Sequence, residues 1–299
     1  MAQIRLFWQS KLVLLLVLPF AAAGVVLQAH WWAVNWWPVA LWALGLSLLL
    51  GLAVIELGAA TPRAAFTGSV ITASLIFSTA TFTPAEAFPY SPWHTAFVPL
   101  LAVVVLTFIA TRLGRKSKER RGLAEQRQGR TASQVAANLG VAALASSEVV
   151  QSWLIDVGWV HQTPQILLTL GLAALAEAAA DTVSSELGQV LGSHPRMITT
   201  MQPVEPGTNG AVSLVGTLAG VASAAIVAAA GSWALNGGQT MFLVGCASGV
   251  FGLFFDSLLG ATLEQRGWLN NDAVNFLSTA SSAAFALGLL AVLSHSGVG

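Results

Sequence analysis

Glu177, Asp181 and Glu186 lie within the otherwise apolar run from Gln165 to Leu187, a stretch that reads as a membrane span. A carboxylate near a bilayer centre costs about 2.5–3.5 kcal/mol on insertion scales, so such groups must face protein, a cation or a water-filled cavity. Glu177, Asp181, Ser184 and Gly188 recur at i, i+4, i+7 and i+11, one narrow helical stripe that also takes in Ala173. A second stripe runs through Gly245, Gly249, Gly252, Asp256 and Gly260. Small residues in such rows let helices approach closely, which turns Asp181 and Asp256 toward a packed interior. Two inward aspartates with no lysine in their helices suit a divalent cation. Mg²⁺ takes a few carboxylates and completes its shell with water and phosphate oxygens. The expected metal ligands are therefore Asp181 and Asp256, against the plainer reading that each bonds or caps a neighbouring helix. Glu186 sits about 140° round the axis from Asp181 and is expected to serve a different contact.

Phosphate is the natural companion of such a cation. Gly207, Thr208, Asn209 and Gly210 stand at the expected start of a helix, where free backbone amides attract anions. The structural alternative is an ordinary helix start with Thr208 or Asn209 as N-cap and the glycines as turn residues. Arg130 and Thr131 at another helix start, and Arg196 in a loop, add donors for phosphate oxygens. Asn271, Asp272 and Asn275 form a third polar edge, with Asn271 or Asp272 as the alternative N-cap. Gly122 to Thr131 has the wrong spacing for a Walker A loop and Arg where Lys belongs. The five histidines are scattered, and the single Cys246 excludes an intrachain disulfide or a cysteine metal cluster.

The elements that must hold these residues are membrane helices. The chain of 299 residues is 55% hydrophobic and 9% charged with zero net charge, far from the roughly 25% charged residues of a soluble domain. Zero net charge also gives no general attraction to nucleic acid. Arg5 and Lys11 ahead of Leu12 to Leu18 imitate a signal peptide, but the spans that follow favour an uncleaved first helix. Apolar windows long enough to cross about 30 Å fall at roughly 12–29, 36–57, 64–82, 95–112, 133–150, 165–188, 211–231, 241–262 and 275–294. The expected class is an all-α polytopic membrane protein of about nine transmembrane helices. Eight of the thirteen Lys and Arg lie between Arg112 and Arg130, which places that loop, the N-terminus and all other basic residues in the cytoplasm. Trp31, Trp32, Trp36 and Trp37 then form an interfacial belt on the outer side.

The basic stretch divides the chain into a four-helix part over 1–111, a loop over 112–131 and a five-helix part over 132–299 that carries the site. Lys116, Lys118, Arg120 and Arg121 are expected to meet anionic lipid headgroups. In this orientation the polar clusters all come to the cytoplasmic side of the inner membrane, although only Lys and Arg set the topology.

GRTASQVAAN, ADTVSSELG, VEPGTNGAVSLVGTLAG, DSLLGATLEQRG and NNDAVNFLST, in this order between Gly129 and Thr279, resemble segments of a family of integral membrane proteins. That family includes the phytyl-phosphate kinases of tocopherol biosynthesis in plants and cyanobacteria. It is distantly similar to dolichol and phytol kinases and to CDP-lipid cytidylyltransferases. The resemblance implies phosphoryl transfer from a nucleoside triphosphate, CTP foremost, to an isoprenoid monophosphate such as phytyl or geranylgeranyl phosphate. On that reading Asp181 and Asp256 hold Mg²⁺ with Glu186 behind them. Arg130 and Arg196 neutralise phosphates, and Gly207–Gly210 with Thr208 and Asn209 cradle one. Asn138, Ser213 and Asn275 orient, with Thr131, Asn271 and Asp272 beside them. The prenyl tail is expected between helices, open to lipid. The expected partners are the nucleotide, the prenyl phosphate and membrane lipid, with a homodimer as the protein partner considered and no nucleic acid. The competing readings are a transporter or flippase, which calls for polar residues through the whole membrane depth, and a CDP-lipid cytidylyltransferase.

Overall fold

The computed structural model describes residues 6–80, 91–115, 118, 129–158, 164–192 and 194–295, and almost all of them are helical. Helix α1, Phe7–Glu56, contains a break at Trp36, whose φ of −159° and ψ of 76° are not helical, two residues before Pro38. Both of its ends lie at one end of the bundle. The Gln9 amide donates to the Trp268 carbonyl at 2.9 Å and accepts from the Asn270 amide at 2.8 Å. Beyond the other end, Ala60 forms a parallel bridge with Arg130. The helix is thus a hairpin turned at the tryptophan cluster, and it accounts for the first two expected spans.

Helices α2 (Pro62–Ala80), α3 (Phe97–Arg112) and α4 (Ala132–Ser146) follow. The expected span over 133–150 stops at Ser146. Ser147, extended at ψ 141°, ends α4, and its hydroxyl accepts from the Val150 amide to start a short α5, Glu148–Asp156. Helix α6 is Pro164–Leu191. Two short antiparallel strands come next, β1 (Arg196–Met197) and β2 (Ala211–Val212), with Arg196 opposite Val212. Helices α7 (Leu214–Ala234), α8 (Gly238–Leu259) and α9 (Asn271–His295) complete the bundle, and α8 runs on into a π-helical turn over Gly260–Glu264.

Five of these helices, α1, α6, α7, α8 with its π turn, and α9, are long and apolar enough to cross a membrane. Helices α2 and α4 are not among them, and α4 has only 15 residues. Leu75, Ile76 and Phe77 of α2 and Ala136, Ala137 and Ala142 of α4 are buried against protein, so their sequences need not suit lipid.

Helix α6 is the axis of the fold, with α3, α4, α7, α8 and α9 packed around it. That enclosure lets an apolar helix carry three acids. The approach of α8 is very close: a Cβ on Gly252 would stand 2.4 Å from Cγ of Glu177. From α9, the Ser282 hydroxyl lies 3.0 Å from the Ala173 carbonyl and 2.8 Å from that of Ser248, tying α9 to both α6 and α8. One buried apolar core runs from Val13 through Val141 and Leu175 to Leu290, drawing on helices before and after 112–131.

Candidate functional site

A polar cavity of about 430 Å³ opens at the end of the bundle where α4, α8 and α9 bring their polar residues to the C-terminal half of α6. Asp181 of α6 and Asp256 of α8 both line it, close enough to act on each other electrostatically. Two carboxylates this close favour a proton or a cation between them. The guanidinium of Arg130 acts on Asp181 from the start of α4, and its Nη2 lies 3.4 Å from the Thr182 hydroxyl. Arg130 is held by backbone: its amide donates to Ala59 at 3.0 Å and its carbonyl accepts from Thr61 at 3.1 Å.

The donor set fits Mg²⁺. Both aspartates offer hard oxygen ligands, and Oδ2 of Asp256 is buried without a hydrogen-bond partner. Among the described residues, no three His, Cys, Asp or Glu side chains are grouped to hold a metal by themselves. The protein would supply Asp181 and Asp256, leaving the remaining positions to water and phosphate.

The Gly207–Gly210 segment also lines the cavity, but it does not begin a helix. Gly207 (φ 85°) and Gly210 (φ 77°) adopt the left-handed conformation that favours glycine. A Cβ on Gly210 would stand 2.4 Å from the Ala261 amide nitrogen, so this turn lies directly on the π turn of α8. The Asn209 carbonyl accepts from the Gln265 side chain at 2.8 Å, and the Gly210 carbonyl accepts from the Ile198 amide at 3.1 Å. The Thr208 hydroxyl donates to the Glu205 carbonyl at 2.7 Å. Helix α7 starts only after β2, at Leu214, and its N-cap is Ser213, which accepts from the Gly216 amide at 3.1 Å.

Asn138, Glu186, Ser213, Asn271 and Asn275 line the same cavity. Thr131, Arg196 and Asp272 do not. Thr131 forms a capping box with Gln134, accepting from its amide at 3.3 Å while the Gln134 side chain accepts from the Thr131 amide at 2.7 Å. Arg196 is exposed, and its Nη1 donates to the Met201 carbonyl at 2.7 Å within its own loop. Asp272 is buried in the first turn of α9, and the cap there belongs to Asn270, whose side chain accepts from the Ala273 amide at 2.9 Å.

Sequence reasoning passed over two residues with a part here. Glu264 lines the cavity and acts electrostatically on both aspartates. In an unbroken α-helix it would lie about 80° round the axis from Asp256. The five-residue π turn changes that angle, and no simple periodicity reveals it. Lys118, assigned to lipid headgroups from sequence, is instead buried and ion-paired with Glu186. It also reaches the Ala110 and Thr111 carbonyls. Glu186, an unpaired acid in an apolar helix, was the signal that a cation had to come from elsewhere. Lys116, Arg120 and Arg121 lie outside the described residues.

A second cavity, about 150 Å³, abuts the first and shares Arg130 and Glu186 with it. Its walls are mainly apolar side chains of α1, α2, α3 and α4.

Several known proteins are similar to this chain. An uncharacterized membrane protein of Synechocystis is 34% identical over 201 residues, covering 64% of this chain and 73% of that protein. An uncharacterized membrane protein of Methanocaldococcus jannaschii is 44% identical over 108 residues, 36% of this chain and 45% of that protein. Protein VTE6, chloroplastic, of Arabidopsis thaliana is 28% identical over 195 residues, 64% of this chain and 57% of that protein. The match thus spans about half the length of the archaeal and plant relatives. No solved structure matches. The family model described as integral membrane protein DUF92 matches residues 45–283, across every element that builds the cavity, and the chain belongs to that family.

Proposed function

We propose that this protein transfers the γ-phosphoryl group of a nucleoside triphosphate, CTP foremost, to an isoprenoid monophosphate such as phytyl or geranylgeranyl phosphate. An oxygen of the acceptor phosphate forms the new bond to phosphorus, the bond to the β-phosphate breaks, and a prenyl diphosphate and a nucleoside diphosphate leave. The observation that carries the reading is the facing pair Asp181 and Asp256 beside Arg130, in a polar cavity floored by the Gly207–Gly210 turn. Phosphoryl transfer is mostly positioning and charge neutralisation, and Mg²⁺ held by Asp181 and Asp256 would supply part of that neutralisation.

The acceptor is already an anion at neutral pH, so the site needs no strong general base. It needs relief from repulsion between two phosphates, and Arg130 stands where it would provide this. Asp181 and Asp256 would hold the metal from two different helices, so the α6–α8 crossing fixes their separation. Glu186 is neutralised by Lys118 and would support the wall between the cavity and its neighbour. Asn138, Ser213, Asn271 and Asn275 offer neutral donors and acceptors for ribose, base or phosphate. In this reading the positive-inside rule assigns this end of the bundle to the cytoplasmic side of the inner membrane.

The test is direct. Purified protein is incubated with Mg²⁺, labelled CTP or ATP, and a panel of prenyl alcohols and monophosphates, and products are resolved by mass. A prenyl diphosphate with a nucleoside diphosphate is the expected result. A CDP-lipid with pyrophosphate would move the protein to the cytidylyltransferases. Folded protein that turns over no acceptor would point to transport.

A further inference from the structure

The smaller cavity has a polar mouth and an apolar body. At its mouth stand Arg112, Arg115, Lys118 and Arg130, with Glu186 as the acid among them. Farther along the same helices its walls are Leu50, Val54, Leu100, Val104 and Leu139. On α3 alone the lining runs from Thr111 to Leu100, about 16 Å at 1.5 Å per residue. Among the described residues Lys118 is paired with Glu186, and Arg112 and Arg130 bring positive charge to the mouth, while the depth offers apolar contact. A ligand that fits both ends is an anion joined to a long hydrocarbon.

We infer that this cleft between α1, α2, α3 and α4 holds the hydrocarbon chain of a prenyl monophosphate, with its phosphate at Arg130 where the two cavities join. The inference rests on the phosphotransfer reading and adds what that reading lacks, a seat for the tail and the residues along its path. Arg130 belongs to both cavities, so a phosphate held there is presented to Asp181 and Asp256 while its tail stays out of the polar chamber. This separation matters, because an apolar chain in the polar cavity would strip water from its polar groups. Gly68 of α2 lines the cleft, and a Cβ built on it meets only Val135, at 3.7 Å. A Cβ fits there at ordinary contact distance, so Gly68 is a position from which a larger side chain would enter the path of the tail. Val104 of α3 lines the same cleft.

The experiment uses the full-length protein and a farnesyl monophosphate probe that carries a diazirine at the end of the chain remote from the phosphate. After irradiation and digestion, the label is expected on α2, α3 or α4 at cleft residues. Unlabelled geranylgeranyl phosphate should compete it away. A label on α7, on α8 or on the lipid-facing side of α9, or a label that geranylgeranyl phosphate does not displace, overturns the assignment. Gly68→Leu and Val104→Trp should each lower the use of geranylgeranyl phosphate relative to geranyl phosphate by about tenfold or more, the scale on which apolar pockets discriminate length. An unchanged ratio in folded variants overturns the placement of these two residues along the tail. The two readings separate cleanly. Cleft labelling without any diphosphate product keeps the tail site and removes the kinase, and diphosphate formation with the label elsewhere does the reverse.

Discussion

The two cavities share a wall at Arg130 and Glu186, yet they are built on different principles. The polar cavity is framed by backbones in close contact. Gly252 has no room for a methyl group beside Glu177, and Gly220 would press one against the Ala180 carbonyl and the Ser184 side chain. Side chains lace its edges, as Gln265 does to the turn at Asn209. The apolar cleft is walled mainly by aliphatic groups, tight at Gly51 and Gly129 but with room for a methyl group at Gly68. Charged groups demand fixed distances, because their interaction energies change steeply with separation. A hydrocarbon chain demands only volume and apolar area. The closely framed polar cavity is therefore where metal and phosphates would react, and the apolar cleft, with its room at Gly68, is where a tail would lie.

The largest effect should come from the polar cavity. Asp181→Asn and Asp256→Asn keep the side-chain shape but remove the charge that would hold a metal. Each is expected to lower kcat by at least roughly 10²–10³, the scale seen when one electrostatic stabiliser is lost. Turnover of prenyl monophosphate at saturating Mg²⁺, in protein whose elution and melting match the parent, checks this. Near-normal turnover in either variant would take that residue off the metal and weaken the division of labour drawn above.

The shared wall comes next. Lys118 and Glu186 form a buried ion pair, and removing one partner leaves a buried charge uncompensated. Lys118→Met should cost about 3–5 kcal/mol, and adding Glu186→Leu should recover much of it, since an apolar pair can replace a buried ion pair at little cost. Unfolding in detergent with increasing denaturant measures both. A single variant as stable as the parent would mean that the pair does not hold the wall.

Within the frame of the polar cavity, Gly252→Ala should cost about 1–3 kcal/mol, the usual penalty for overpacking. Its methyl group would meet Glu177 and Ser282, and the shift it forces moves α8 and Asp256 with it. Both a lower melting temperature and slower turnover are expected. A stable variant with normal turnover would show that this crossing can relax, and that the contrast between the two cavities is overstated.

How much of this could be read in advance follows from the range of each interaction. Helical class, the apolar spans and the stripes that turn Asp181 and Asp256 inward are local properties, repeated every three or four residues, and they are legible. The cap of α7 was sought at Thr208 or Asn209 and lies at Ser213, because two short strands intervene whose pairing partner is Arg196–Met197, far back in the chain. The capping of α9 falls to Asn270, one residue ahead of the expected pair, and the same side chain also reaches Leu6 and Ser10 of the distant N-terminus. The pairing of Lys118 with Glu186 spans 68 positions, and charge counting sees only that the lysine is in a loop. Helix α5 was swallowed by the preceding span because hydropathy does not register a change of direction at Ser147. The missed features depend on contacts between distant segments or on a local departure from the α-helical period.

The smallest effect is the mirror image of the third. Gly68→Ala in α2 adds the same methyl group as Gly252→Ala, but toward the cleft, where its nearest neighbour is Val135 at ordinary contact distance. Alanine also removes the conformational freedom that glycine retains in the unfolded chain, which in a helix interior is worth roughly 0.5–1 kcal/mol in favour of the variant. Gly68→Ala should therefore melt at or slightly above the parent temperature and keep its turnover with short acceptors. Measured together, the two alanine variants turn the comparison into a sign: one methyl destabilises, the other does not. If Gly68→Ala destabilised as strongly as Gly252→Ala, the cleft would be as tightly framed as the polar cavity, and there would be no slack volume in which a hydrocarbon chain could lie.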